Sequence, residues 1–81
     1  MHYVYLLQST ERPDKTYIGR TDDVHRRLDE HNQGDCTYTS KYRPWKIVTF
    51  IGTPSPQKAI ELEGYIKSGS GHAFARRHLW T

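Results

Sequence analysis

Five side chains of chemically active type stand at positions whose spacing turns them inward: Tyr5, Tyr17, Arg27, His31 and Glu63. Tyrosine and histidine can pass a proton, arginine can neutralise charge developing on a phosphate, and a carboxylate can hold a hard cation. Together they are the equipment of metal-assisted phosphodiester hydrolysis. Oxygen ligation by Glu63 favours Mg²⁺ or Mn²⁺ over zinc. Each residue also has a plainer role. Tyr5 and Tyr17 suit the core face of a strand, and His31 can bond a helix-end carbonyl or answer the helix dipole. Arg27 can lay its stem on the core and release its head to water, or join Glu63 in a buried ion pair. Glu63 resists such a reading most, because unpaired charges are seldom buried.

The elements that must position these groups begin with the stretch Lys15 to Asn32. Tyr17, Ile18 and Gly19 close a strand, Asp22 or Asp23 caps a helix by accepting from its free N–H groups, and the helix runs from about Val24 to Asn32. At about 100° per residue, His31 falls about 20° and Arg27 about 60° from Val24, with Leu28 about 40° to the other side. His31 therefore lies within the apolar stripe and Arg27 along its edge, while Arg26 faces water.

Upstream, His2 to Gln8 is apolar on both parities and predicts a strand buried on both faces, central in its sheet. The turn segment Arg12-Pro13-Asp14 returns the chain as a second strand, Lys15 to Arg20, in an antiparallel hairpin that puts Tyr5 and Tyr17 on one sheet face. After an exit turn at Gln33-Gly34-Asp35, residues Cys36 to Arg43 lack a clear period and predict a loop or one irregular helical turn on the surface. A third strand spans Trp45 to Ile51, with Ile47, Thr49 and Ile51 on one side and Val48 and Phe50 on the other. Ser55 as N-cap with Pro56 at the first helical position starts a second helix, whose stripe is Ala59, Leu62 and Ile66 with Glu63 among them. Ser68 to Gly71 is expected to end it, and His72 to Trp80 to form a short last helix carrying Phe74, Leu79 and Trp80 onto the body. The fold class is α+β: a three-stranded antiparallel sheet flanked by helices.

Eighty-one residues, 35% of them hydrophobic, predict one domain over 1–81 with a modest core. Nothing approaches the roughly 18 apolar residues of a membrane span. The chain opens directly on strand-like sequence, so no signal peptide is expected. Cys36 is the only cysteine, which excludes a disulfide framework and a cysteine-based zinc site within one chain and fits a reducing cytoplasm. A net charge of +3 is compatible with a polyanionic partner.

The residues Tyr3-Val4-Tyr5, then Tyr17-Ile18-Gly19, then Arg27 and His31 at Arg-x-x-x-His spacing, and later Ala59 to Lys67 containing Glu63, together resemble the GIY-YIG endonuclease family. The resemblance covers nearly the whole chain with its pieces in order. It implies that Tyr5 and Tyr17 line the site and orient the attacking water, with general-base duty open between them. It further implies that Arg27 stabilises the pentacovalent transition state, that Glu63 is the sole protein ligand of a single divalent metal, and that His31 supports the site. One departure is Tyr3, where the family usually has glycine; it leaves less room beside the first strand. A tyrosine acting as base needs its pKa, ordinarily about 10, lowered, for which the metal and Arg27 are the natural causes.

The implied partner is nucleic acid, with DNA favoured, in repair or recombination. Lys15, Arg20, Arg26, Lys41, Arg43, Lys46, Arg76 and Arg77 are candidate grips on phosphate, and Tyr38, Tyr42 and Trp45 candidate stacking faces. With no appended binding domain in the chain, specificity is expected from a protein partner or from DNA shape. A non-catalytic nucleic-acid-binding module of the same fold, and a small protein-interaction domain, are the rival readings. Chelation separates the first from an enzyme, and salt-dependent binding separates the second from both.

Overall fold

The computed structural model describes residues 1–80. The elements in order are β1 (His2–Ser9), β2 (Thr16–Thr21), α1 (Val24–Gln33), α2 (Thr37–Ser40), β3 (Trp45–Thr53), α3 (Pro56–Lys67) and α4 (Gly69–His78). The sheet order is β2-β1-β3, with both pairings antiparallel. The doubly apolar β1 is thus the central strand, as its sequence requires. Val4, Tyr5, Leu6 and Leu7 are all buried, each such side chain worth about 1.5–3 kcal/mol relative to exposure.

Alternation along β1 divides the core in two. Val4 and Leu6 pack with Ala59, Ile66 and Ala75, under α3 and α4. Tyr5 and Leu7 pack with Val24, Trp45, Leu28 and Tyr17 on the α1 side. Tyr5 pairs with Gly19 and Leu7 with Tyr17, so Tyr5 and Tyr17 share a face as predicted.

Strict alternation fails on β3. A bulge between Leu6 and Leu7 pairs Leu6 with Thr49 but Leu7 with Ile47. The extra residue moves Ile47 to the face of Leu7 and Trp45, while Ile51 stays on the other, because a bulge inverts the parity of what precedes it. The strand also runs two residues past its expected end, to Thr53, whose hydroxyl donates to the His2 carbonyl at 2.7 Å.

The helix starts follow their caps. Asp23 accepts from the Arg26 amide at 3.0 Å and Ser55 from that of Lys58 at 3.2 Å. Residues 37–40 form the single helical turn allowed for. The expected break at Ser68 to Gly71 is shorter than predicted: Ser68 alone ends α3 and caps α4, and the helix begins at Gly69. A Cβ on Gly71 would lie 1.7 Å from the Tyr65 carbonyl oxygen. That glycine therefore marks a close helix-to-helix approach and not a turn. Leu79 and Trp80 pack on the core, but Phe74 does not. It is 44% exposed, against Tyr65 and His78.

Candidate active site

Tyr5, from the central strand, meets His31, from α1, inside the protein. Their Oη and Nε2 atoms lie 2.9 Å apart, and the residues are 1% and 0% exposed. Two devices hold α1 in this register. The Gly34 amide closes the helix end on Glu30 and His31 carbonyls, and Asn32 clamps the start of β3, accepting from the Trp45 amide at 2.6 Å and donating to its carbonyl at 3.2 Å. Tyr17 completes the cluster, with its ring 4.9 Å from that of His31 and 6.2 Å from that of Tyr5.

Gly19 makes the cluster possible. A Cβ there would stand 2.5 Å from the Tyr5 Oη and 2.9 Å from Tyr17 Cε2, so the space of a side chain is filled by the two tyrosines. Tyr3, the departure from the motif, packs against the same cluster. Its ring lies against Gly52 and Phe50 of β3, while Tyr17 belongs to the other neighbour, β2.

Arg27 lies half-exposed at the edge of the cluster, its Nη1 donating to Glu30 Oε1 at 2.7 Å. The carboxylate holds the guanidinium charged, with the Tyr5 hydroxyl adding to the effect. Burial pushes the Tyr5 phenol up to about 12, against the opposing pull of Arg27. In the protein alone, desolvation of the Tyr5 phenolate outweighs the nearby cation. Burial, with Arg27 adding, pushes the His31 pKa below its ordinary range, so the ring is neutral at pH 7.

Glu63 arrives from the opposite sheet face. Its Oε1 accepts from Arg20 Nε at 2.5 Å and its Oε2 from Lys67 Nζ at 2.9 Å. The side chain is 17% exposed. Burial raises its pKa, but Lys67 and Arg20 more than offset that and hold it ionised. Its ion pairs among the described residues go to these two cations, and Arg27 pairs elsewhere. The structure therefore brings Tyr5, Tyr17, Arg27 and His31 together and sets Glu63 across β2 from them. Gly19 turns toward the tyrosines, and Arg20, the next residue, toward Glu63. β2 is an edge strand, so its free edge is the place open to both halves.

A family model described as the GIY-YIG catalytic domain matches residues 1–76. The chain belongs to the GIY-YIG family. Among curated relatives, it is 38% identical over 84 residues to a protein named structure-specific endonuclease subunit SLX1 from Candida dubliniensis, covering 94% of this chain and 28% of that protein. It is 42% identical over 81 residues to the protein of the same name from Talaromyces stipitatus, covering 93% of this chain and 20% of the relative. The chain thus spans between 20% and 28% of the length of these relatives. The solution NMR structure of the UPF0213 protein from Bacillus halodurans superposes with a TM-score of 0.54 at 29% identity, covering 96% of this chain and 85% of that one.

Around this GIY-YIG core the expected nucleic-acid contacts divide. Lys41 is exposed and unpaired among the described residues. Arg43 is exposed, its Nε donating to the Ser40 carbonyl at 3.1 Å. Lys15 lies 5.3 Å from the Tyr42 ring centroid. Arg20 is committed to Glu63 and Arg26 to Asp22, at 2.6 Å. Trp45 cannot stack on a base: it is 3% exposed, and its Nε1 donates to the Thr39 carbonyl at 2.8 Å. Tyr38, by contrast, is 42% exposed and stacks on Tyr17 with centroids 6.2 Å apart.

Sequence reasoning missed Thr39 and Asn32. Thr39 is fully buried, and its Oγ1 lies 2.7 Å from His31 Nδ1. Thr39 sits in a polar stretch without periodicity, and Asn32 is one amide among the polar residues that end α1, so no spacing rule singles out either. Among the described residues no group of three or more His, Cys, Asp or Glu side chains converges as a metal cage, and no helix is long and apolar enough to cross a membrane.

Proposed function

We propose that the chain is a divalent-metal-dependent endonuclease that hydrolyses phosphodiester bonds in DNA, in repair or recombination. The buried Tyr5–His31 hydrogen bond beside Tyr17 and Arg27 carries this reading. A core needs neither a tyrosine hydroxyl nor an imidazole at its centre, and together they form a path for one proton.

The phosphodiester lies along the free edge of β2. Tyr5 and Tyr17 orient the attacking water on one side. The water gives a proton to Tyr5 Oη as Tyr5's own proton passes to the neutral His31 Nε2. At a pKa of about 12 only about one Tyr5 in 10⁵ is phenolate at pH 7, so this tyrosine relays a proton and does not wait as a preformed base. The new oxygen bonds to phosphorus and the bond to the opposite sugar oxygen breaks, its electron pair leaving with that oxygen, which takes a proton from solvent. Arg27 neutralises the charge that gathers on the phosphoryl oxygens.

Glu63 is the residue that would hold the metal, Mg²⁺ or Mn²⁺. One carboxylate suits an ion that keeps several waters and takes its remaining ligands from phosphate. Bound there, such an ion supplies Lewis-acid stabilisation of the transition state. Lys15, Lys41, Tyr42 and Arg43 would grip the phosphate backbone, and the exposed face of Tyr38 offers a base a stacking position next to Tyr17. The fungal relatives are named subunits, which supports a protein partner as the source of specificity.

One observation favours a non-catalytic binding module: both Glu63 oxygens are already taken by cations. Incubating supercoiled plasmid and a branched oligonucleotide with Mg²⁺, Mn²⁺ or EDTA separates the two. The nuclease reading expects nicking that EDTA abolishes; salt-sensitive binding without cleavage of either substrate would favour the module.

A further inference from the structure

The His31 ring is held from both sides. Nε2 faces Tyr5 and Nδ1 faces Thr39 Oγ1, at 2.9 and 2.7 Å. A neutral imidazole carries one proton, so one nitrogen donates and the other accepts. Only one arrangement leaves Nε2 free to receive a proton from Tyr5, and it requires that Thr39 accept from Nδ1. Thr39 is built to do so. Its own hydroxyl proton has an outlet, the Cys36 carbonyl three residues back, 3.4 Å away. Its backbone carbonyl is pinned by the indole of Trp45, and the residue is sealed from solvent, so no water can take its place.

We propose that Thr39 is the positioning residue of this site. It fixes His31 in the tautomer protonated at Nδ1 and so aims the acceptor nitrogen at Tyr5. The hydrogen bonds run in one direction, from Tyr5 O–H to His31 Nε2, from His31 Nδ1–H to Thr39 Oγ1, and from Thr39 O–H to the Cys36 carbonyl. When the proton reaches Nε2, both imidazolium N–H groups already have acceptors and nothing need rotate. The single turn of α2 exists to place this hydroxyl. This inference rests on the catalytic reading of Tyr5 and His31, but the tautomer is a property of the protein alone.

The test is therefore first spectroscopic. Long-range ¹H–¹⁵N correlation of uniformly labelled protein at neutral pH reports which His31 nitrogen carries the proton. Wild type is expected to show Nδ1 protonated and Nε2 bare. Thr39→Val, nearly isosteric, removes the acceptor and should shift the population toward the other tautomer. It should also lower the nicking rate about ten- to hundredfold, up to the lower end of what a positioned acid or base contributes, while substrate affinity stays near wild type. Thr39→Ser should restore both. A wild-type ring protonated at Nε2 would overturn the proposal, as would a folded Thr39→Val protein with unaltered tautomer and rate. Should Thr39→Val not fold, the wild-type spectrum and the Ser variant still decide. If wild type shows the expected tautomer but cuts nothing, the nuclease reading fails and the assignment of Thr39 stands.

Discussion

The hydroxyl of Tyr5 and the Nε2 of His31 lie 2.9 Å apart, in residues only 1% and 0% exposed. Burial moves their proton affinities in opposite directions on the pH scale, the phenol up to about 12 and the imidazole below its ordinary range. Both shifts favour neutral forms, which is the state in which a tyrosine can donate to a histidine.

Acid should therefore switch the site off. The nicking rate is expected to fall as pH drops below the ordinary histidine range and Nε2 takes up a proton. His31→Gln, which keeps a hydrogen bond but cannot accept a proton, should lose about 10²- to 10⁴-fold at neutral pH. Stability carries the same sign. Unfolded His31 binds its proton near pH 6.5 and folded His31 only at lower pH, so between those values the unfolded chain binds more protons and stability rises with pH. Urea unfolding should show this loss on acidification, at a slope of at most about 1.4 kcal/mol per pH unit, and His31→Gln should lack that component. A flat pH–rate profile across this window would contradict the relay.

Gly19→Ala tests the packing of the two tyrosines. The added methyl would stand 2.5 Å from the Tyr5 hydroxyl, whose ring is enclosed and cannot swing clear. Overpacking of this kind costs about 1–3 kcal/mol, and displacement of the hydroxyl from His31 should lower nicking about tenfold or more. Retained activity at wild-type stability would show that the tyrosines have room the structure does not give them.

The junction of α3 and α4 is tested by two glycines. Gly71→Ala meets the Tyr65 backbone and should destabilise the protein by about 1–3 kcal/mol. Gly69→Ala, with nothing within 4 Å of its Cβ, should be neutral or slightly stabilising. Equal chemical denaturation curves for the two variants would refute the close approach.

Most of the architecture was written in local signals. The doubly apolar β1, the Asp23 and Ser55 caps and the α1 stripe each follow from short-range rules, and they are what deliver Tyr5, Tyr17, Arg27 and His31 to one place. What escaped depends on tertiary contact. The bulge that turns Ile47 over leaves no mark in an alternating run. The burial of Trp45 could not be told from an exposed aromatic among cations. Thr39 is one hydroxyl in a polar segment until His31 packs against it. The rise of the Tyr5 pKa likewise depends on how completely the site excludes water, which a list of neighbouring charges does not contain. The helical stripe places Glu63 inward, but its Arg20 partner lies 43 residues away in the chain, beyond any helical spacing.

With the metal on Glu63 as proposed, Lys67 would compete with it for the carboxylate. Lys67 and Glu63 form an i,i+4 pair whose lysine end is exposed, worth about 0.2–1 kcal/mol. Lys67→Met should therefore tighten Mn²⁺ binding to the free protein by about two- to fivefold, measured by calorimetry or by the Mn²⁺ electron paramagnetic signal. Unchanged or weaker binding would argue that the metal does not reside on Glu63.

The most direct measurement is single-turnover nicking of a labelled branched DNA by wild type, Arg27→Ala and Glu63→Ala, each confirmed folded, with Mg²⁺ and with EDTA. Cleavage by wild type that requires the metal and is lost by about 10²-fold or more in both variants is the predicted result. Cleavage that survives both substitutions, or that ignores EDTA, would contradict the account.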